Sequence, residues 1–203
     1  MTKKWRTDRK RDHYYRKAKA EHYRSRASYK LKQIDFRFDL IHPGDVIVDL
    51  GASPGGWSQV AVELGGPGSR VFALDLDRMA PITGVTFIRG DIRNDSVVRR
   101  LLEMIPEKAD VVISDMSPDI SGNYSYDHAR SVELCEHALS FATKVLHEGG
   151  NFCAKMFYGD MSKAFVNAVE KHFREVYTHH PKASRPTSSE LYVVGIGLRG
   201  QTD

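Results

Sequence analysis

The 203-residue sequence has 41% hydrophobic residues and no break in composition near its middle, which favours one globular domain with a short extension. No apolar run reaches the about 18 residues of a membrane-spanning helix, and no signal-peptide core follows the N-terminal residues. We therefore expect a soluble cytoplasmic protein without a membrane partner. Cys135 and Cys153 lack CxxC spacing and the histidines lack ligand spacing, so we expect two buried thiols and no metal site.

Positive charge is concentrated at the N-terminus. Residues 1–30 contain 12 Lys or Arg against three acidic residues, a local charge of +9, whereas residues 31–203 contain 18 basic and 23 acidic residues. Aromatic residues are interleaved with these cations at Trp5, Tyr14, Tyr15, Tyr23 and Tyr29. Such a mixture is typical of RNA binding, although a solvated charged surface is the alternative. We predict a basic, flexible RNA-binding arm over residues 1–25 and a folded domain over residues 26–203.

Hydrophobic periodicity predicts the elements of the domain. An amphipathic helix begins after Arg26 and ends before Pro43. Apolar, β-branched segments then predict strands at residues 46–50, 70–74, 85–88, 109–114, 151–156, 175–179 and 190–198. Helical patterns predict further helices at about residues 57–64, 94–104, 126–147 and 160–173. The alternation predicts a doubly wound, mainly parallel α/β sheet with its ligand site beyond the carboxyl ends of the strands.

The segment Asp49-Leu50-Gly51-Ala52-Ser53-Pro54-Gly55-Gly56-Trp57 joins the first strand to a helix through a glycine-rich turn. Glycines allow close backbone approach to a ligand, and a helix start offers unpaired N–H groups. A dinucleotide site requires glycine where Ser53 stands, so the turn favours a nucleoside without a diphosphate.

Acidic residues follow the next strands. Asp75 lies 24 residues after Gly51, at the position from which a carboxylate binds ribose hydroxyls, and Asp91 is a candidate for an adenine amino group. Each acid alone is also compatible with a loop-end or helix-capping role. Together with the glycine turn, these acids indicate S-adenosylmethionine as the cofactor. Trp57 is expected either to line that pocket or to lie in the core.

Five motifs then carry a family resemblance. They are Tyr23-Arg24-Ser25-Arg26-Ala27-Ser28-Tyr29-Lys30-Leu31, Asp49-Leu50-Gly51-Ala52-Ser53-Pro54-Gly55-Gly56-Trp57-Ser58-Gln59, Ser114-Asp115-Met116-Ser117-Pro118, Cys153-Ala154-Lys155-Met156-Phe157 and Ser188-Ser189-Glu190-Leu191-Tyr192. In this order they strongly resemble the FtsJ/RrmJ family of ribose 2′-O-methyltransferases, over about residues 20–198.

The resemblance implies a Rossmann-like class I methyltransferase fold, with a seven-stranded, mostly parallel sheet whose last strand is antiparallel. It implies a catalytic set at Lys30, Asp115, Lys155 and Glu190. With the glycine turn included, the expected cofactor-binding residues are Gly51, Ser53, Pro54, Gly55, Trp57, Asp75, Asp91 and Asp115.

The chemistry of this set is consistent with methyl transfer to an alcohol. The enzyme must align the acceptor oxygen with the methyl group, which is worth roughly 7–11 kcal/mol, and must remove a proton. Lys155 interrupts an apolar strand, where a charge is costly, so it is the candidate base. An ordinary lysine is mostly charged at neutral pH; burial and the Lys30 ammonium favour the neutral form, whereas the two carboxylates favour the charged form. We hypothesise that Asp115 orients Lys155, and that Lys30 and Glu190 hold the ribose.

The resemblance further implies a substrate. The compact domain with a basic arm most resembles the branch that methylates a uridine 2′-hydroxyl in large-subunit (23S-type) ribosomal RNA, which makes that RNA or the large subunit the expected partner. Relatives of similar size modify the tRNA anticodon loop, and the catalytic set is common to both. Two further functions fit the sequence less well. A dehydrogenase using NAD is disfavoured by Ser53, and a non-catalytic RNA-binding protein is disfavoured by the complete catalytic set.

Overall fold

A computed structural model describes residues 12–185 and 187–200 of the chain. The strands are β1 (Val46–Leu50), β2 (Arg70–Asp75), β3 (Val85–Arg89), β4 (Ala109–Ser114), β5 (Leu146–Phe157), β6 (Phe173–His179) and β7 (Glu190–Leu198). The helices are α1 (His13–Ala20), α2 (Ser28–Phe38), α3 (Gly56–Gly65), α4 (Asp95–Met104), α5 (Tyr124–Val145) and α6 (Ser162–Glu170). Strands and helices alternate through most of the chain, as predicted.

The seven strands form one sheet in the order β3-β2-β1-β4-β5-β7-β6. Neighbouring strands are parallel except around β7, which is antiparallel to both β5 and β6. This topology confirms the predicted doubly wound sheet with an antiparallel last strand. The chain runs from β1 outward to β2 and β3 and returns on the other side of β1 at β4, so a crevice opens between the carboxyl ends of β1 and β4.

Apolar side chains cover both faces of the sheet. Within β1, Val46, Val48 and Leu50 face a cluster built with α4, α5 and α6, whereas Ile47 faces a second cluster built with α2 and α3. The strict alternation follows from the two-residue period of a strand. Burial on both faces explains why the central strands read as continuous apolar runs in the sequence.

Several boundaries differ by a few residues from those predicted, and two of them have a clear physical reason. Helix α5 ends at Val145, and β5 begins at the next residue and continues through Gly149, whose φ of +90° is accessible to glycine. The glycine pair therefore lies inside an irregular strand instead of closing the helix. Helix α6 begins at Ser162 without a side-chain cap from Asp160, because the Ser162 Oγ accepts the Gly159 N–H and turns the chain into the helix.

Residues 12–25, which form the second half of the predicted arm, pack on the domain. The Asp12 side chain caps α1 and forms an ion pair with Arg26, and Tyr29 packs against α1. A partly buried ion pair and a tyrosine contact are tertiary interactions that a polar, charge-rich composition does not reveal. Residues 1–11 of the predicted arm lie outside the described residues.

Candidate active site

The turn after β1 lies at the crevice between β1 and β4. Gly51 has a φ of +77°, and a Cβ at this position would lie 2.6 Å from the Met116 Cγ, so only glycine fits. The Gly51 N–H donates to the Leu74 carbonyl at 2.9 Å, and the peptide bond between Ser53 and Pro54 is cis. These contacts fix the turn against the ends of β2 and β4.

A cleft of about 380 Å³ opens beside this turn, across the ends of β1 to β4. Its lining includes Gly51, Ser53, Asp75, Asp91 and Asp115, five of the eight predicted cofactor-binding residues. We call it the cofactor cleft. The volume lies within the roughly 300–1,000 Å³ typical of small-molecule sites.

Asp75 holds the glycine turn as well as facing the cleft. Its Oδ2 accepts the Ser53 N–H at 2.8 Å, and its Oδ1 accepts the Asp77 N–H at 2.7 Å. Each carboxylate oxygen has a second lone pair for a ligand hydroxyl. The side chain therefore positions the turn and keeps acceptor capacity toward the cleft.

Asp91 has a neighbour that the sequence pattern did not single out. The Arg93 guanidinium donates to both carboxylate oxygens of Asp91, at distances of 2.6–3.1 Å, and these hydrogen bonds lower the pKa of Asp91. The arginine also lines the cofactor cleft. An acid and an arginine two positions apart at a strand end are the sequence signal that would have found this pair.

The other three predicted cofactor contacts are not among the residues that line this cleft. Trp57 is buried, its indole N–H donates to the Ala27 carbonyl at 2.9 Å, and its ring stacks on Tyr192 with centroids 5.8 Å apart. This position corresponds to the core alternative for Trp57. Pro54 and Gly55 face Arg24 on the outer side of the turn.

The four predicted catalytic residues come together at the carboxyl edge of the sheet. The Lys155 Nζ lies 3.1 Å from the Asp115 Oδ1 and donates to the Asp115 backbone carbonyl at 2.7 Å. The Lys30 Nζ pairs with the Glu190 Oε2 at 2.6 Å. Residues from α2, the end of β4, β5 and the start of β7 therefore form one charged cluster.

Tyr192 joins these two ion pairs and was not among the predicted site residues. Its hydroxyl donates to the Asp115 Oδ1 at 2.8 Å, and the Lys30 ammonium lies 5.9 Å from the centre of its ring. Tyr192 is also the register partner of Lys155 across β5 and β7. A strand places residues i and i+2 on one face, so the spacing from Glu190 is the signal that would have found it.

The cluster sets the charge state of its central acid. Burial alone would raise the pKa of the Asp115 carboxyl, but the positive charges of Lys155 and Lys30 hold it below its ordinary value. Burial and the nearby carboxylates keep the pKa of Tyr192 well above its ordinary value, so its hydroxyl remains a donor. Asp115 is therefore an ionised acceptor held from two sides.

A second cleft, of about 610 Å³, opens on the other side of the cluster. Lys30 and Glu190 line it together with Arg26 and Arg185, and Ser117 lines both clefts. We call it the acceptor cleft. The two clefts meet beside the charged cluster, so a group in one can reach a group in the other.

One wall of the acceptor cleft is held by buried side chains of α5. The Asp127 Oδ1 accepts the N–H and the hydroxyl of Ser121 at 2.9 and 2.7 Å, and the Oδ2 accepts the Gly122 N–H at 3.1 Å. His128 contacts the Phe157 carbonyl through Nδ1 at 2.8 Å and accepts the Met161 N–H at 3.0 Å. These bonds order the loops after β4 and β5.

Cys135 and Cys153 are buried free thiols, as predicted. Within residues 12–185 and 187–200, no three His, Cys, Asp or Glu side chains are grouped so that they could hold a metal ion. The helices in this part of the chain are too short or too polar to span a membrane.

Comparisons with known proteins agree with this geometry. The FtsJ-like methyltransferase family model matches residues 23–198. The ribosomal RNA large subunit methyltransferase E of Methanosarcina acetivorans is 51% identical over 187 residues, which cover 92% of this chain and 68% of that protein. The protein of that name from Methanocaldococcus jannaschii is 48% identical over 204 residues, covering 98% of this chain and 83% of the relative. A crystal structure described as a ribosomal RNA methyltransferase of Plasmodium falciparum superposes with a TM-score of 0.80 at 30% identity, covering 88% of this chain and 100% of that one. The chain therefore belongs to the FtsJ-like methyltransferase family.

Proposed function

We propose that this protein transfers a methyl group from S-adenosylmethionine to the 2′-hydroxyl of a uridine ribose in large-subunit ribosomal RNA. The observation that carries the proposal is that two clefts share Ser117 and open on either side of the charged cluster, with Asp115 lining one cleft and Lys30 and Glu190 lining the other. A donor and an acceptor bound in separate clefts would face each other across these side chains. The curated relatives named as ribosomal RNA large subunit methyltransferases support the choice of RNA. Such a substrate implies a cytoplasmic location, where ribosomes assemble.

The residues of the cofactor cleft fit S-adenosylmethionine. Gly51 lets the turn pack directly against Met116, where any Cβ would clash, and Asp75 offers acceptor lone pairs for ribose hydroxyls at the end of β2. Asp91 would meet the adenine, with Arg93 fixing its carboxylate. When bound, the cofactor supplies an electrophilic methyl group on a positively charged sulfur. Asp115 lines the same cleft and contacts Lys155, the proposed base.

The charged cluster would align and deprotonate the acceptor. Lys155 would accept the proton of the 2′-hydroxyl, and Asp115 would fix its position through two contacts, one from the carboxylate and one from the backbone carbonyl. Tyr192 would keep the Asp115 carboxylate from rotating. A positioned base contributes about 10²–10⁴-fold to a reaction rate.

The acceptor cleft would hold the ribose and its phosphates. The Lys30–Glu190 pair offers a donor and an acceptor for ribose hydroxyls, and Arg26 and Arg185 bring positive charge to the lining. The basic residues of the N-terminal arm, residues 1–25, would extend this attraction to more of the RNA. The catalytic domain would then span residues 26–203.

The test is methyl transfer from labelled S-adenosylmethionine to purified large-subunit ribosomal RNA and to tRNA, followed by mapping of 2′-O-methylated riboses. We expect label at one uridine ribose of the large-subunit RNA. Lys163→Ala is a matched control, because Lys163 is an exposed lysine of α6, and it should act like the parent protein. Label on a base, or on tRNA alone, would overturn the proposal.

A further inference from the structure

A groove of about 750 Å³ lies between α1, α2 and the end of β6, outside both clefts of the active site. Among the described residues that line it, the basic ones are His13, Lys17, Lys32, Arg37, His179 and Lys182. The acid among these lining residues is Glu21, which accepts the Tyr29 hydroxyl at 2.7 Å and lies 3.8 Å from the Lys17 ammonium. Lys17 is paired with Glu21 and Lys32 with Glu63, and burial lowers the pKa of His179, so the positive charge of the groove rests mainly on Arg37 and Lys182.

An aromatic ring is exposed in the same groove. Phe36 is 94% exposed, although the opposite face of α2 is buried in the core. Two positions further along α2, Phe38 is not among the lining residues; it stacks on Tyr177 with centroids 5.2 Å apart, and the Arg37 guanidinium lies 5.4 Å from the Phe38 ring centre. In a groove that Arg37 and Lys182 also line, this exposed ring is a platform for a ligand that is both flat and anionic.

Residues close together in the chain line this groove and the acceptor cleft. Tyr29 lines the groove, whereas Lys30, the next residue, lines the acceptor cleft. In the same way, Lys182 in the loop before β7 lines the groove, and Arg185, three residues later, lines the acceptor cleft. A strand of RNA whose target ribose lies in the acceptor cleft can therefore continue across this loop into the groove.

We propose that the groove binds a single-stranded segment of the RNA substrate that flanks the target nucleotide. An unpaired base stacks on Phe36, and the adjoining phosphates contact Arg37 and Lys182. Aromatic platforms framed by cations are the general device for binding unpaired nucleotides, and the excess of positive charge favours RNA over a neutral protein surface. The inference rests on the proposed function, since it concerns the same RNA.

The experiment compares methyl transfer by Phe36→Ala and by the parent protein on two RNA fragments. One extends well beyond the target on both sides, and the other is trimmed to the target and its immediate neighbours. We expect the KM for the long RNA to rise about tenfold in the variant, with kcat unchanged, because one base stack is lost. The KM for the trimmed RNA should equal that of the parent. Met104→Ala removes an exposed apolar side chain elsewhere on the surface and should change neither value.

Direct binding supplies a second measurement. Arg37→Gln should lower the slope of log affinity against log salt by about 0.7 for the long RNA, as expected for one lost phosphate contact on a single strand. Arg100→Gln removes a likewise exposed arginine from α4 and should leave this slope unchanged.

Three outcomes would overturn the inference or its basis separately. An unchanged KM and an unchanged salt slope for the long RNA would show that the groove does not bind RNA. A defect of Phe36→Ala that occurs only on protein-containing large-subunit particles would assign the groove to a protein partner instead. If the parent protein methylates no RNA, the proposed function fails, and the salt titration of Arg37→Gln still decides whether RNA occupies the groove.

Discussion

Replacement of Lys155 tests the centre of the proposed mechanism. Its ammonium makes two contacts with Asp115, at 2.7 and 3.1 Å, and its side chain is only 7% exposed. A lysine from the protein surface therefore cannot take its place. Loss of a positioned base is expected to lower kcat by about 10²–10⁴-fold. Lys155→Met is the better variant, because it keeps most of the buried stem while removing the charge.

The same substitution has a cost in stability that can be separated from catalysis. Breaking a buried ion pair costs about 3–5 kcal/mol, and here the low end applies because the Tyr192 hydroxyl still donates to Asp115 at 2.8 Å. In the parent protein the pKa of Asp115 is lowered on folding, so its stabilising effect is present above the ordinary pKa and is lost as the pH falls through the lowered value. Without the lysine charge that loss should occur at a higher pH.

The assay measures single-turnover methyl transfer, cofactor affinity and acid unfolding for the parent, Lys155→Met and Lys163→Ala. We expect the rate to fall by at least two orders of magnitude in Lys155→Met, while cofactor affinity changes little because Lys155 is not among the residues that line the cofactor cleft. A Lys155→Met variant that folds and transfers methyl groups near the parent rate would refute the assignment of the base.

Three further predictions concern other parts of the chain. Asp75→Ala should weaken S-adenosylmethionine binding by about 10–100-fold in calorimetry, as expected for the loss of hydrogen bonds to a charged group, with RNA affinity unchanged. Equal cofactor affinity in the variant and the parent would refute the role of Asp75 in cofactor binding. Removal of residues 1–20 should weaken RNA binding and flatten its salt dependence while cofactor binding survives. An unchanged salt slope would contradict the RNA-binding role of the arm. Burial raises the pKa of Asp49 to about 7, and its Oδ1 has no hydrogen-bond partner in the described part of the chain. This raised pKa means that the Asp49 contribution to stability is present below pH about 4 and is lost as the pH rises through about 7. Between pH 5 and 8 the free energy of unfolding of the parent, measured by chemical unfolding, should therefore fall by about 3 kcal/mol, whereas that of Asp49→Asn should not show this fall. Parallel curves of unfolding free energy against pH for the two proteins would refute the burial argument.

The positions of the acids and of the glycine turn could be predicted from the sequence because they depend only on strand order. Asp75, Asp91 and Asp115 each follow a parallel strand, and parallel strands bring their carboxyl ends to one edge of a sheet whatever the side-chain details. Lys30 and Glu190 are different. They are 160 residues apart, so only the family resemblance joined them, and the ion pair of 2.6 Å confirms that they are close.

Features that depend on side-chain packing could not be predicted. Trp57 at a helix start fits both a pocket wall and a core, and the choice is made by the Ala27 carbonyl and the Tyr192 ring, which periodicity does not locate. The packing of α1 depends on an ion pair between Asp12 and Arg26, within a segment whose composition is that of a solvated arm. The groove beside Phe36 is visible only once α1, α2 and β6 are assembled.

The reversed direction of β7 has an evolutionary consequence. Because β7 runs against its neighbours, it begins at the active edge instead of ending there, and two of its first residues, Glu190 and Tyr192, belong to the charged cluster. Hydrogen bonds to β5 on one side and to β6 on the other fix its register. Insertions and deletions in the preceding loop, residues 180–189, therefore leave Glu190 in place while they reshape the wall that meets the RNA. Acceptor preference can diverge among descendants of this fold without disturbing methyl donation.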